Sequence, residues 1–158
     1  MPKTLFRYNP FEGKIDQMPV YGDQYAEVED RTVSITTSDV FQAKLDFTTP
    51  ILKPGAIYEL CVSYGWNHDA TNSDFEARVF DVDLNTALDY LNGWHRVEPQ
   101  DAGGNWEGTG TDQRFYASRR FRIAGAGAVR NLSLQYRTDV AGVASSIWEA
   151  YINIKRVL

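Results

Sequence analysis

Ile147-Trp148-Glu149-Ala150-Tyr151-Ile152-Asn153-Ile154-Lys155-Arg156-Val157-Leu158 closes the sequence in a period of two. Trp148, Ala150, Ile152 and Ile154 fall on one side, with Glu149, Tyr151, Asn153 and Lys155 on the other. That alternation is the signature of a half-buried β-strand. A strand placed there closes a sheet, so its removal is expected to unfold the domain rather than trim it.

Working back from it, residues 41–49 set Phe41, Ala43, Leu45 and Phe47 against Gln42, Lys44, Asp46 and Thr48. Residues 56–64 set Ala56, Tyr58, Leu60, Val62 and Tyr64 against Ile57, Glu59, Cys61 and Ser63, a second face apolar enough for a central strand. Pro54-Gly55 is the turn between them. Further strands are expected at 32–36, 75–84, 94–97, 114–123 and 129–138, while 67–74 reads as a loop. Asn92-Gly93 is a hairpin signal, and the stretch 99–112, with Gly103, Gly104, Gly108 and Gly110, reads as a long exposed loop. About eight strands and no convincing helix predict an all-β fold, an antiparallel β-sandwich of the jelly-roll type over residues 28–158. Residues 1–27 differ: Phe6, Tyr8, Phe11, Tyr21 and Tyr25 are spaced by prolines and glycines without a period. This N-terminal arm needs a surface to lie on, either its own sandwich or a neighbouring subunit.

Composition narrows the function. The 158 residues suit one domain that buries a core without disulfides, and Cys61 is the single cysteine. Aromatics make up 13 % of the chain. A net charge of -5 and a pI near 5.0 oppose nucleic-acid binding, which needs Lys and Arg to neutralise phosphates. The N-terminus shows no signal-peptide pattern, and no apolar run approaches the roughly eighteen residues of a membrane span, so neither export nor membrane insertion is expected.

Signals of chemistry are sparse. His68 and His95 are the two histidines, and no nucleophile elbow, phosphate loop or zinc helix motif occurs. No enzyme activity, cofactor or metal is predicted. Asp81 and Asp83 would share one strand face as an acid/base or cation pair, against the commoner reading of a solvated face. Asn67, Asp69, Asn72 and Asp74 offer oxygen ligands in one loop, without the glycine and glutamate of a helix-loop-helix calcium site. Asn131-Leu132-Ser133 matches a glycosylation acceptor but falls within an expected strand. Arg119, Arg120 and Arg122, interleaved with aromatics, are expected to pair with acids on adjacent strands or across a subunit interface. Arg119 shares a face with Phe115 and Phe121, which implies a bulge or an inward ion pair. Trp66, Trp94 and Trp106 lie in or beside expected loops, as stacking faces for a glycan or as caps of the sandwich.

Two resemblances add to this reading. Leu52-Lys53-Pro54-Gly55-Ala56-Ile57-Tyr58-Glu59-Leu60, with Ser146-Ile147-Trp148-Glu149-Ala150-Tyr151-Ile152, resembles galactose-binding-type and carbohydrate-binding-module jelly rolls. Over residues 75–158 the chain also resembles small jelly-roll virion proteins of tailed bacteriophages. That likeness is carried by Arg96-Val97-Glu98-Pro99-Gln100-Asp101, by Gly110-Thr111-Asp112-Gln113-Arg114 and by the final strand after Tyr136-Arg137-Thr138. It implies a non-enzymatic, typically trimeric virion component, whether capsid decoration, head fibre or tail or baseplate appendage. Capsid decoration is the first expectation because the chain is short and shows no coiled coil, collagen-like repeat or second domain; the protein would be assembled in the host cytoplasm and bound to the major capsid protein in the virion. Phe6, Tyr8, Phe11, Arg119, Arg120 and Arg122 would then supply the interface. The alternative is a glycan-binding domain of a phage tail or surface appendage that uses Trp66, Trp94 and Trp106.

Overall fold

The computed structural model describes residues 5–9, 14–18, 25–70, 73–88, 95–97 and 115–157, with side chains in 25–70, 73–88 and 115–157. The described residues form twelve strands and no helix. In chain order these are β1 (Leu5–Asn9), β2 (Lys14–Met18), β3 (Tyr25–Asp30), β4 (Ser34–Thr36), β5 (Gln42–Thr48) and β6 (Ile57–His68). There follow β7 (Phe75–Asp81), β8 (Thr86–Ala87), β9 (His95–Val97), β10 (Phe115–Ala124), β11 (Asn131–Thr138) and β12 (Ser145–Arg156).

The first sandwich sheet runs β10-β6-β12-β3, with β4 beside β3 on the same edge of β12. The second runs β5-β11-β7, with β8 and β9 both on β7. Every pairing is antiparallel, and successive long strands alternate between sheets, the strand order of a jelly roll. β1 and β2 pair with each other as a separate two-stranded sheet. The first sandwich strand starts at Tyr25, within the segment read from sequence as an arm.

The core lies between the sheets. Tyr58, Leu60, Val62, Ile147, Ile152 and Ile154 from the first meet Phe75, Ala77, Leu132 and Leu134 from the second, all at 2 % exposure or less. β6 alternates as its sequence predicts, and Gly55 holds φ 76 in the turn before it, a left-handed conformation that glycine adopts without steric cost.

Two strands break their alternation. In β5, Leu45 pairs with Leu134 but Ala43 pairs with Gln135, so Lys44 is an extra residue, a β-bulge. Leu45 and Phe47 enter the core, whereas Phe41 and Ala43 turn out of it, contrary to the unbroken alternation expected for 41–49. In β12, Trp148 pairs with Gly65 and Tyr151 with Ser63, which again leaves one residue too many. Ile147 and Ala150 join the cluster between the sheets, whereas Trp148, though buried, packs on the opposite face, which corrects the placing of Trp148 with Ala150, Ile152 and Ile154.

The Lys44 bulge carries its ammonium into the fold. Lys44 is buried, and its Nζ donates to Asp30 Oδ2 at 2.8 Å, to the Thr32 carbonyl at 2.7 Å and to Ser34 Oγ at 3.2 Å. These acceptors span the passage from β3 to β4. One cation from the second sheet thereby fixes the segment by which the edge of the first changes strand.

Candidate functional site

The site follows from the bulge in β12. Glu149, the added residue, holds φ 47, a left-handed conformation that costs a non-glycine residue about 1–2 kcal/mol. Strain of that kind gathers at functional sites. The bulge turns the Trp148 indole onto the outer face of the first sheet, over Gly65. A Cβ at Gly65 would stand 2.1 Å from Trp148 Nε1, so the glycine makes room for the ring. On the other side of Gly65 sits Tyr116, 63 % exposed, edge-on to the indole at 6.4 Å. Its hydroxyl donates to Glu149 Oε2 at 3.2 Å.

Trp148 forms part of the floor of an open groove of about 470 Å³. Val33 and Ile35, 64 % and 66 % exposed, make one apolar wall. Arg31, Asn67, Asp69 and Glu149 bring polar groups to the rim. Arg31 Nη2 reaches Glu29 Oε2 at 3.2 Å, and Asn67 Oδ1 accepts from the His68 amide at 2.7 Å. Behind the groove, the buried His68 ring is held by Ser145 Oγ at 2.8 Å and Ser73 Oγ at 2.7 Å. Burial pushes its imidazole below the usual histidine range, so it acts as a neutral brace. Further along the face, Glu27 accepts from the hydroxyls of Tyr151 and Tyr25, which holds its carboxyl below the ordinary range.

Of the residues proposed from sequence, Trp66 does not serve as a platform. It is 4 % exposed and stacks between Phe75 at 4.9 Å and Phe115 at 4.7 Å, inside the core. β6 continues through it to His68, so what reads as the start of a loop is strand. Trp94, Trp106 and Phe11 lie outside the described residues, and Phe6 and Tyr8 are described only as backbone positions of β1.

Arg119 turns inward beside Val62, Tyr64 and Phe121. The β10–β6 ladder is continuous there, without a bulge, and among the described residues no carboxylate pairs with Arg119. Arg120 Nε lies 3.9 Å from Glu59 Oε1, which Lys155 Nζ approaches to 2.8 Å; Arg122 sits opposite Glu59 in register. These two arginines therefore neutralise a carboxylate of their own sheet.

Asp81 and Asp83 do not share a face. Asp81 is fully buried, pairs with Arg130 and accepts from the Leu84 amide at 2.8 Å, while Asp83 accepts from the Asn131 amide at 2.7 Å. β7 ends at Asp81, so the period of two does not extend to Asp83; Asp81 organises the following turn and Asp83 ties that turn to the start of β11. Among the described residues no three His, Cys, Asp or Glu side chains converge as metal ligands, and Asn72 lies outside them. Leu132 and Ser133 of the glycosylation match are buried in β11.

Sequence reasoning missed that Trp148 lies on the outer face of its sheet. The available signal is the pair Ile147-Trp148: two adjacent bulky apolar residues cannot both face one core from a regular strand.

No protein-family model and no curated protein matches the sequence. Among solved structures the chain is similar to the insecticidal delta-endotoxin Cry8Ea1 from Bacillus thuringiensis, at 16 % identity and TM-score 0.44 over 80 % of this chain and 20 % of that one. The chain thus spans about a fifth of the toxin's length. It is similar to the C-terminal CBM6 of LamC, a laminarinase from Zobellia galactanivorans, at 11 % identity and TM-score 0.36, covering 82 % of this chain and 99 % of that one. A third likeness is to the CBM22-1 xylan-binding domain of Paenibacillus barcinonensis Xyn10C, at 14 % identity and TM-score 0.34, over 85 % and 88 % of the two chains. All three are distant in sequence and in structure.

Proposed function

We propose that this β-sandwich is a non-catalytic carbohydrate-binding module whose ligand lies in the Trp148 groove. The observation that carries the reading is the groove itself, where an indole-floored apolar surface meets convergent Arg31, Asn67, Asp69 and Glu149 side chains. Sugar rings present apolar C–H faces and a rim of hydroxyls, and such a surface complements both. Isothermal titration calorimetry against neutral soluble polysaccharides of several linkages tests it. The wild type is expected to bind at least one, and Val33→Ala combined with Ile35→Ala to weaken that binding about tenfold, or about 1.4 kcal/mol. Both residues are exposed, so folding stability is expected to stay within about 0.5 kcal/mol of wild type for each change. Absence of binding across the panel would overturn the proposal.

A second reading, decoration of a phage virion as a trimer on the major capsid protein, is favoured by one observation: among the described residues the β1–β2 pair shares no ladder with either sandwich sheet. Isolated two-stranded hairpins are marginal in water and gain from a partner surface. Light scattering of the full chain and of residues 19–158 decides it. A trimer that becomes a monomer on truncation is the expected result, and equal masses sink the reading.

A further inference from the structure

On the opposite side of the molecule, the bulge in β5 does for Phe41 what the β12 bulge does for Trp148. Phe41 emerges on the outer face of the second sheet, where the Arg78 guanidinium carbon lies 3.9 Å from its ring centroid and 4.3 Å from that of Phe80. Two aromatic rings thus flank Arg78 within cation–π distance. Its Nε donates to Gln135 Oε1 at 2.9 Å. No carboxylate of the described residues pairs with it: the neighbouring Glu76 carboxylate is buried against Arg137 Nε at 2.5 Å. Arg137 also stands over Phe41, at 4.6 Å, and its Nη1 donates to the Asp39 carbonyl at 2.8 Å. Among the described residues, the side chains in contact around Phe41 thus include two guanidiniums and one carboxylate, in a protein whose net charge is -5. Burial, and then the charge of Arg137, push the Arg78 guanidinium below its ordinary value, as expected for a cation that lacks a counter-ion.

A guanidinium flanked by ring faces and tethered at Nε keeps its Nη donors for an oxyanion that presents two oxygens side by side, as a carboxylate or a tetrahedral sulfate ester does. We infer that Arg78, framed by Phe41 and Phe80, is a second binding site, for the carboxylate or sulfate ester of an acidic sugar residue. The oxyanion takes the Nη edge and the pyranose C–H face lies on an adjoining ring, a combination that a free inorganic anion leaves half unused. The acidic surface elsewhere repels polyanions, so binding of an acidic glycan reports on this face.

The test is calorimetry at about 0.15 M ionic strength with two matched pairs: oligogalacturonate against its methyl ester, and dextran sulfate against dextran. The wild type is expected to bind one charged member at least tenfold more tightly than its uncharged counterpart, and the pair that responds identifies carboxylate or sulfate as the anion. Arg78→Gln is expected to abolish the difference, and Arg78→Lys, which keeps the charge but loses the fork, to retain a tenth of the affinity or less. The lysine variant keeps the test open should the glutamine variant fold poorly. Equal binding of charged and uncharged members by the wild type, or full retention by Arg78→Gln, overturns the inference. The groove variant Val33→Ala with Ile35→Ala is expected to leave the acidic-glycan signal unchanged, so failure at either site is distinguishable from failure at the other.

Discussion

Gly65→Ala is expected to destabilise the fold by about 3 kcal/mol and to abolish binding in the groove. A methyl group in a strand normally stabilises by roughly 0.5–1 kcal/mol relative to glycine, because the unfolded chain loses freedom. Here the Cβ would stand 2.1 Å from Trp148 Nε1 and 2.5 Å from Cε2, so the indole must leave a site where it is 8 % exposed. Expelling a ring of that size forfeits most of the roughly 3–5 kcal/mol that truncating a buried tryptophan costs. Urea unfolding of a double-mutant cycle isolates the clash. In a Trp148→Ala background the same Gly65→Ala change is expected to be neutral or stabilising, and an equal cost with and without the indole would refute this account.

Lys44→Met is expected to cost about 2–3 kcal/mol at neutral pH. Breaking a fully buried pair costs about 3–5 kcal/mol, and Asp30, whose side chain keeps 30 % exposure, recovers part of that by hydration. The pH profile carries a second mark. Lys44, with the amide and hydroxyl of Thr32, holds the Asp30 carboxyl down from 3.8 to about 2. A carboxylate whose folded value is depressed adds stability that is fully present above pH 3.8 and is lost as pH falls through about 2. The gap between wild type and Lys44→Met in urea unfolding should therefore be constant from neutral pH to about 4 and narrow below it. A pH-independent gap would show that the pairing does not operate. Because the Lys44 acceptors belong to the segment carrying Arg31 and Val33, the variant is also expected to weaken groove binding.

Most of the fold was legible because it rests on long, unbroken alternations. Ala56 and then Tyr58, Leu60, Val62 and Tyr64 of β6 enter the core without exception, and β10 and β11 lie within three residues of their expected bounds. Both candidate sites were illegible for one shared reason. A period-two reading assumes one residue per step, and a bulge adds a residue that turns every side chain beyond it to the other face. Phe41 and Trp148 therefore read as facing the core between the sheets and lie on the outer faces, while Lys44 reads as outward and is buried. Trp66 failed in the opposite sense: its polar neighbours Asn67 and His68 read as loop, yet both are buried and hydrogen-bonded at the end of β6. Polar residues satisfied by one another are indistinguishable in sequence from polar residues satisfied by water.

β12 lies between β6 on one side and β3 with β4 on the other, and its added residue gives its two segments opposite parity. Ile147 reaches the core from before the bulge, and Ala150, Ile152 and Ile154 reach it from after. A slip of the whole strand by one residue would send Trp148 inward and these four outward, and no uniform alternation places all four inside. Misaligned pairings of the last strand are thereby rejected while the sandwich assembles, a safeguard suited to a topology whose sequence-distant partners find one another slowly.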